Sequence, residues 1–302
     1  MSASQAVAKP GAYRVLLVTG LDGGCGMTAF WDQLRAESGI ATVNSFDATA
    51  ATPTAAQLDP YDLVVTDSDC EGFGSHGAAL GNKLVSYVKQ GGVVVEYALG
   101  ADTDAQQDDI TGAWVSDGYS PFIAGSAVDD ADTLGTFNAS SPLMAGVGSL
   151  AADCDTNSTL APGATSVARW TNGDQAVAYK GQAIVVNASV EDGCSWSNGF
   201  PRMIGFPRLT LNAVKWRGRH YLSVKRAGKG KGRVKSSPAG IKCGKKCSAT
   251  YNFGRTVKLS AKAKTGSKFT GWSGGVCQGK KKTCKVTMDA TEHVKAKFKL
   301  ST

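Results

Sequence analysis

Residues 62–97 read DLVVTDSDCEGFGSHGAALGNKLVSYVKQGGVVVEY, and this stretch decides the fold of the first two thirds of the chain. Its ends, DLVVT and VVVEY, are short, nearly unbroken apolar runs, the composition of strands buried on both faces of a parallel sheet. Between them Leu80, Leu84, Tyr87 and Val88 recur at helical spacing and form one apolar stripe. Gly91 and Gly92 then close the helix and free the chain for the next strand. Strand, helix and strand in this order make a β-α-β unit, with the two strands parallel and the helix on one face.

The pattern extends upstream. Residues 14–19 (RVLLVT) form another buried strand, and GLDGGCG (20–26) is its exit loop. Phe30, Trp31 and Leu34 lie at helical spacing in residues 28–38, Gly39 stops that helix, and a second strand is expected at 41–46. After the spacer ATPTAAQLDP (51–60) comes the strand at DLVVT, so the order is β-α-β-β-α-β. Downstream the reading is less regular: WVSDGYSPF, LGTF, SPLMAGV, SVARW, AVAYK and QAIVVN read as strands and turns. A last helix carries Leu209, Leu211, Val214 and Trp216. The expected class is α/β, a parallel flavodoxin-like sheet with flanking helices over residues 13–217, followed by a small all-β antiparallel domain over 218–302.

The second part is set apart by charge. The chain has 302 residues, 33 Lys+Arg, 25 Asp+Glu and a net charge of +8. Residues 218–302 hold 22 basic and 2 acidic side chains, a net of +20, leaving 11 basic and 23 acidic, −12, in residues 1–217. With 42% apolar residues and no run near the ~18 needed for a transmembrane helix, no membrane span is expected. In the basic part the period changes to two: Val257, Leu259, Ala261 and Ala263 alternate with Lys258, Ser260, Lys262 and Lys264. HYLSVKRAGKGKGRVKSS, TVKLSAKAKTGSKFTGW and CKVTMDATEHVKAKFKL read as three hairpins of one small antiparallel sheet.

Cys25, Cys70, Cys154, Cys194, Cys243, Cys247, Cys277 and Cys284 are even in number, and four fall in the core-poor basic part. Small domains of this kind are stapled in oxidising compartments, so disulfides and an extracellular or surface location are expected. The expected pairs are Cys243–Cys247, Cys277–Cys284 and Cys154–Cys194. Zinc on the four C-terminal thiolates is the rival, but the six-residue gap between Cys277 and Cys284 fits structural knuckles poorly. Residues 1–13, MSASQAVAKPGAY, lack the about 7–15-residue apolar stretch of a secretory signal. Secretion therefore rests on the cysteines, and Met1 is read either as an artificial start or as a start that leaves out upstream sequence.

On YDLVVT, LGNKLVSYVKQGG leading into VVVEY, and QAIVVN followed by the last helix, residues 13–217 resemble the class I glutamine amidotransferase-like fold, particularly its trehalose-utilisation-type branch. That resemblance implies a nucleophile on the sharp turn after VVVEY, where backbone N–H groups can receive an oxyanion. Here the turn reads Ala98, Leu99 and Gly100, and no matching downstream histidine and glutamate exist among His76, His220 and His293. Cys70 is the remaining candidate nucleophile, with Glu71 beside it and His76 six residues on. Asp67, Asp69 and Glu71 would keep its thiolate scarce. A Cys25–Cys70 disulfide is the plainer alternative if the first and third strands are neighbours.

Open α/β sheets bind ligands beyond the carboxyl ends of their strands. Asp22, Asp67, Asp69 and Glu71 gather there as candidate hard-cation ligands, against the reading of a solvated acidic rim. GLDGGCG lacks the spacing and lysine of a phosphate loop, and no cofactor is expected. Trp31 is expected in the core, while Trp114, Trp170 and Trp196 are either core or sugar platforms.

In the basic part, SSPAGIKCGKKCSATYNFGRTVKLSAKA (236–263), GSKFTGWSGGVC (266–277) and TCKVTMDATEHVKAKF (283–298) together resemble a divergent internalin-type B-repeat of bacterial surface proteins. The resemblance implies a β-rich module without catalysis. This copy differs in filling many outward positions with lysine. Lys258, Lys262 and Lys264 with Lys295, Lys297 and Lys299 are the candidate ligand-binding residues, forming one charge lattice for anionic cell-wall or extracellular polymers. The alternative is that they only solubilise an edge-rich sheet. No recognised nucleic-acid motif appears, so sequence-specific reading of DNA or RNA is not expected. Three functions compete: a noncatalytic attachment protein, a self-associating filament subunit joined through its acidic and basic parts, and a secreted hydrolase with an atypical site.

Overall fold

The computed structural model describes residues 13–20, 28–67, 72–97, 110–128, 132–152, 155–188 and 204–301. They fall into two compact units, divided between Gly218 and Arg219.

The first unit opens with β1 (Tyr13–Thr19), α1 (Thr28–Ala36), β2 (Ile40–Asp47), α2 (Ala55–Leu58), β3 (Leu63–Asp67), α3 (Gly77–Lys89) and β4 (Val93–Tyr97). It continues with α4 (Ala113–Ser116), β5 (Phe122–Ile123), β6 (Ala127–Val128), β7 (Asp132–Phe137), β8 (Ala151–Ala152), β9 (Asp155–Thr156), β10 (Thr159–Leu160), β11 (Thr165–Trp170), β12 (Gln175–Lys180), β13 (Ala183–Val186) and α5 (Phe206–Arg217). Nine strands form one sheet in the order β2-β1-β3-β4-β13-β12-β11-β7-β8. The first five are parallel and the rest antiparallel. β1 lies beside β3, the neighbour relation on which a Cys25–Cys70 bridge is conditional, with Thr19 opposite Asp67.

Both faces of the parallel half are covered, which is why its strands are apolar throughout. Val15, Leu17, Leu63, Val65, Val93 and Val95 point into a core with Phe30 and Leu34 of α1 and Phe206, Leu209 and Val214 of α5. Their alternates Leu16, Val18, Val64 and Val94 meet Leu80, Leu84 and Val88 of α3, with Trp114 of α4. Two stretches read as strands or turns contain short helices. WVSDGYSPF falls within and after α4, and SPLMAGV contains a 3-10 turn at Pro142–Met144. Trp114 and Trp170 are 0% and 1% exposed, so neither can act as a sugar platform. Trp31 is only half-buried at the margin of the first core; Trp196 lies outside the described residues.

The second unit contains β14 (His220–Ala227), β15 (Gly232–Ser237), β16 (Lys242–Cys243), β17 (Ser248–Tyr251), β18 (Thr256–Ala263), β19 (Ser267–Ser273), β20 (Thr283–Thr287) and β21 (Glu292–Leu300). They make two four-stranded sheets, β17-β14-β21-β19 and β16-β15-β18-β20. Leu222, Val224, Val294, Ala296 and Phe298 of one sheet share a single core with Val234, Val257, Leu259, Ala261 and Val286 of the other. The sheets are therefore stacked face to face. Gly232 of β15 lies under the Phe298 ring, where any side chain would collide with it.

This overturns the three expected hairpins. β14 and β15, β18 and β19, and β20 and β21 all lie in different sheets. Each connection carries the chain across the sandwich instead of pairing its own strands. The reason is that period-two alternation states which side of a strand is apolar but not which strand it joins. One sheet of this size would leave its apolar face wet, whereas two stacked sheets bury both. β14 and β21 also pair in parallel, the exception among otherwise antiparallel ladders.

Disulfides Cys243–Cys247 and Cys277–Cys284 are formed, as expected. The first clips β16 of one sheet to the residue preceding β17 of the other. The second ties β20 to the segment that follows β19. The Tyr251 hydroxyl, donating to Ser236 Oγ at 2.7 Å, adds a polar link between the same two sheets. Cys25, Cys70, Cys154 and Cys194 lie outside the described residues.

Candidate functional site

At the carboxyl edge of the parallel strands, Asp67 faces Tyr97 across the β3–β4 pairing and is 2% exposed. The Tyr97 hydroxyl donates to the Phe206 carbonyl at 3.1 Å and lies 2.6 Å from Thr210 Oγ1, fixing the sheet to the start of α5. Burial raises the Tyr97 pKa, the Thr210 bond opposes that shift, and the negative charge of Asp67 adds to it. The hydroxyl therefore stays protonated and serves as an anchor. One residue earlier Glu96 points to the opposite face, where Trp114 Nε1 donates to Oε2 at 2.8 Å. Burial pushes the Glu96 carboxyl up to about 7, against the lowering effect of that bond.

The described cysteines, Cys243, Cys247, Cys277 and Cys284, all belong to the basic unit. Cys70, Cys25, Asp22, Asp69 and Glu71 lie outside the described residues, and of the four candidate cation ligands Asp67 alone is described. No cluster of three His, Cys, Asp or Glu able to hold a metal occurs among the described residues. His76, the base that a Cys70 mechanism would need, has Nδ1 3.2 Å from Thr52 Oγ1.

Sequence reading also missed a buried polar knot at the end of β13. Asn187 Oδ1 accepts from Thr156 N and Oγ1, and Nδ2 donates to the carbonyls of Thr156 and Gln175. The available signal was a polar residue ending the apolar run AIVVN, as Glu96 interrupts VVVEY.

The basic unit holds the more developed site. On the outer side of β16-β15-β18-β20, Lys258 stands opposite Lys285, Arg233 opposite Lys262, and Lys235 opposite Lys242. All six side chains are exposed, and none lies in an ion pair among the described residues. The two acidic residues of this unit, Asp289 and Glu292, lie in the turn before β21 and at its start.

The outer side of the other sheet is built differently. Lys295, Lys297 and Lys299 form a row along β21, with Lys225 beside Lys295 and Lys268 beside Lys299. Ala227 and Gly271 flank Lys297, so the row stands clear of bulky neighbours. A groove of about 580 Å³ runs here, lined by Ala227, Lys229, Thr270, Lys297 and Lys299 among others. A second, of about 720 Å³, is lined by Tyr221, Ser223, Lys225, Lys231 and Ser248 among others.

The expected single lattice is thereby corrected. Lys258 and Lys262 belong to one sheet, Lys295, Lys297 and Lys299 to the other, and Lys264 to the turn after β18. Because the apolar sides of both sheets face a common core, their lysine sides face away from each other. Sequence reasoning named two of the six cations on the first face and three of the five on the second; it missed Arg233, Lys235, Lys242 and Lys285 on the one and Lys225 and Lys268 on the other, because those residues become neighbours only through the strand pairing.

Residues 224–302 match the family described as the divergent InlB B-repeat domain. No curated protein matches the sequence. Among solved structures, the chain is similar to a cytoplasmic protein from Salmonella typhimurium, at 14% identity and TM-score 0.52, over 68% of this chain and 98% of that one. It is also similar to a protein from Bacteroides uniformis described as ThuA-like, at 12% identity and TM-score 0.47, over 72% and 94%. A glutamine amidotransferase from Thermotoga maritima follows at 13% identity and TM-score 0.40, over 58% and 74%. At these identities the likeness is one of fold, and it concerns the first unit.

Proposed function

We propose that the protein is a noncatalytic surface protein whose basic sandwich attaches it to anionic polymers, with the α/β unit as scaffold or ligand binder. A B-repeat domain suggests a surface protein, and the two formed disulfides agree with an extracellular or surface setting. No helix of the described residues is long and apolar enough to cross a membrane. The polymer reading rests on one observation, the three directly opposed cation pairs on β16-β15-β18-β20.

Like charges facing each other across strands destabilise a sheet by about 0.2–1 kcal/mol per pair. A surface selected only for solubility would intersperse both signs. Three such pairs, in a unit with 22 basic and 2 acidic residues, suit a polyanion-binding face, because each phosphate, sulfate or carboxylate that settles between two ammonium groups relieves their repulsion and releases counterions. A flexible polymer needs no shaped pocket for this.

Noncatalysis is supported by the sequence Ala98, Leu99, Gly100 after β4, where this kind of fold would carry a nucleophile. The test is binding of the full chain to teichoic acid, lipopolysaccharide, an acidic polysaccharide and DNA at about 20 mM and 200 mM salt. Binding to at least one at low salt, falling steeply with salt, is expected. Failure with all four removes the attachment role. Sedimentation without polymer at the same two salts separates it from charge-driven self-association, for which the opposite net charges of the two sequence halves, −12 and +20, are the motive.

A further inference from the structure

We infer that the sandwich holds two polyanion chains at once, one on each outer face, so that the protein bridges polymer strands. The inference rests on the attachment reading and adds to it a second site and a crosslinking function.

The first ground is topological. The two cation sets stand on the outward sides of two sheets that share one core. No path along a single flat surface joins them. Stacked sheets are about 10 Å apart, and lysine side chains on both sides extend the separation of the charge layers to roughly 20 Å. The screening length at physiological ionic strength is about 8 Å. The faces therefore act as separate fields: an anionic chain on one neither neutralises the other nor strongly repels a second chain bound there.

The second ground is that each face is complete by itself. The β16-β15-β18-β20 face has Lys258–Lys285, Arg233–Lys262 and Lys235–Lys242, a paired array spread over four strands. The other has Lys295, Lys297 and Lys299 at steps of about 7 Å along one strand, flanked by Lys225 and Lys268. A broad array suits a polymer crossing strands in any direction, and the single row beside its groove suits one lying along β21. Different layouts imply different salt slopes, since the slope follows the number of anionic groups contacted.

The experiment uses the full chain and inorganic polyphosphate of two lengths. A short form, too short to reach around the sandwich, reports stoichiometry by native mass spectrometry; a long form reports bridging by turbidity. One variant carries Lys258→Glu, Lys262→Glu and Lys285→Glu, a second Lys268→Glu, Lys295→Glu and Lys297→Glu. Two further variants carry Gln at the same positions, so that charge is removed without reversal, and circular dichroism checks folding.

Wild type is expected to take two short chains and to turn long polyphosphate turbid in a bell-shaped dependence on protein concentration. Each variant is expected to take one short chain and to bind long polyphosphate without turbidity. A wild type that binds one short chain, or a single variant that abolishes binding altogether, overturns bridging and leaves attachment through one face. Turbidity that persists in both variants, with self-association seen in the absence of polymer, also overturns it. Absence of binding by wild type overturns attachment and bridging together.

Discussion

Lys258→Glu separates a binding face from a merely soluble one because it should move stability and affinity in opposite directions. In the native sheet Lys258 stands directly opposite Lys285 in the β18–β20 pairing. Two unit charges roughly 6 Å apart in water repel by about 0.7 kcal/mol. Reversal replaces repulsion by a comparable attraction, and salt screening of these exposed groups leaves a net gain of about 1 kcal/mol at low ionic strength. For a unit of this size that gain corresponds to an increase of roughly 4–8 °C in midpoint.

Affinity should fall. Removing one ammonium–anion pair with the polymer reduces the slope of log K against log salt by about 0.9, which is about fivefold at ~0.15 M and about thirtyfold at ~0.02 M. Calorimetry at low salt and fluorescence anisotropy with labelled polyphosphate read the two quantities on the same preparation. A variant that is more stable but binds unchanged would refute the binding role of this face. One that is less stable would refute the account of repulsion.

Other perturbations test the frame that holds these faces. Cys277→Ser with Cys284→Ser opens a short loop and should cost about 2.5 kcal/mol, read as a lowered thermal midpoint of the basic unit; an unchanged midpoint would show that the bridge adds nothing to the core. Asn187→Ala removes the four hydrogen bonds that Asn187 shares with Thr156 and Gln175, leaving buried groups unpaired at a cost of ~3 kcal/mol or more. Urea unfolding measures it, and a loss below ~1 kcal/mol contradicts the role given to the knot. For Glu96, a carboxyl raised from 4.5 to about 7 makes the folded state bind the proton more tightly than the unfolded chain. Its contribution is full below about 4.5 and is lost as pH rises through about 7, a swing of ~3 kcal/mol. Glu96→Gln retains an acceptor for Trp114, so it should match wild type near pH 5 and exceed it near pH 8; equal pH dependence of both would refute the burial argument.

Legibility differed between the units for a physical reason. In the α/β unit the signal was local: DLVVT, VVVEY and the stripe Leu80, Leu84, Tyr87 and Val88 each specify their own element, and a β-α-β connection leaves little choice of partner. In the sandwich the alternation of Val257, Leu259 and Ala261 identified the buried side correctly, but pairing depends on which apolar faces meet, a non-local choice that short turns such as KTGS do not encode. The candidate site inherited that error, since Lys258 and Lys295 share a pattern in sequence and lie on different sheets in space. The bridges Cys243–Cys247 and Cys277–Cys284 were legible because spacing within a turn is local. Glu96 and Asn187 were not, because a polar residue in an apolar run has no visible partner until Trp114 or Thr156 is brought beside it.

The two sheets also explain how so charged a unit stays folded. Leu222 and Val224 of β14, Val257, Leu259 and Ala261 of β18, and Val294, Ala296 and Phe298 of β21 face one core, and the lysines stand on the outside, where their charge stays hydrated and no desolvation cost arises. The bridges Cys243–Cys247 and Cys277–Cys284 restrain the unfolded chain by about 2–2.5 kcal/mol each, enough to offset several opposed cation pairs at about 0.2–1 kcal/mol each. Stability is thus supplied from the interior and the cross-links, which leaves both outer surfaces without a structural need for carboxylates. A surface that keeps 22 basic against 2 acidic residues under those conditions can be neutralised from outside the chain, and the arrangement of its strands offers an incoming polyanion two places to do so.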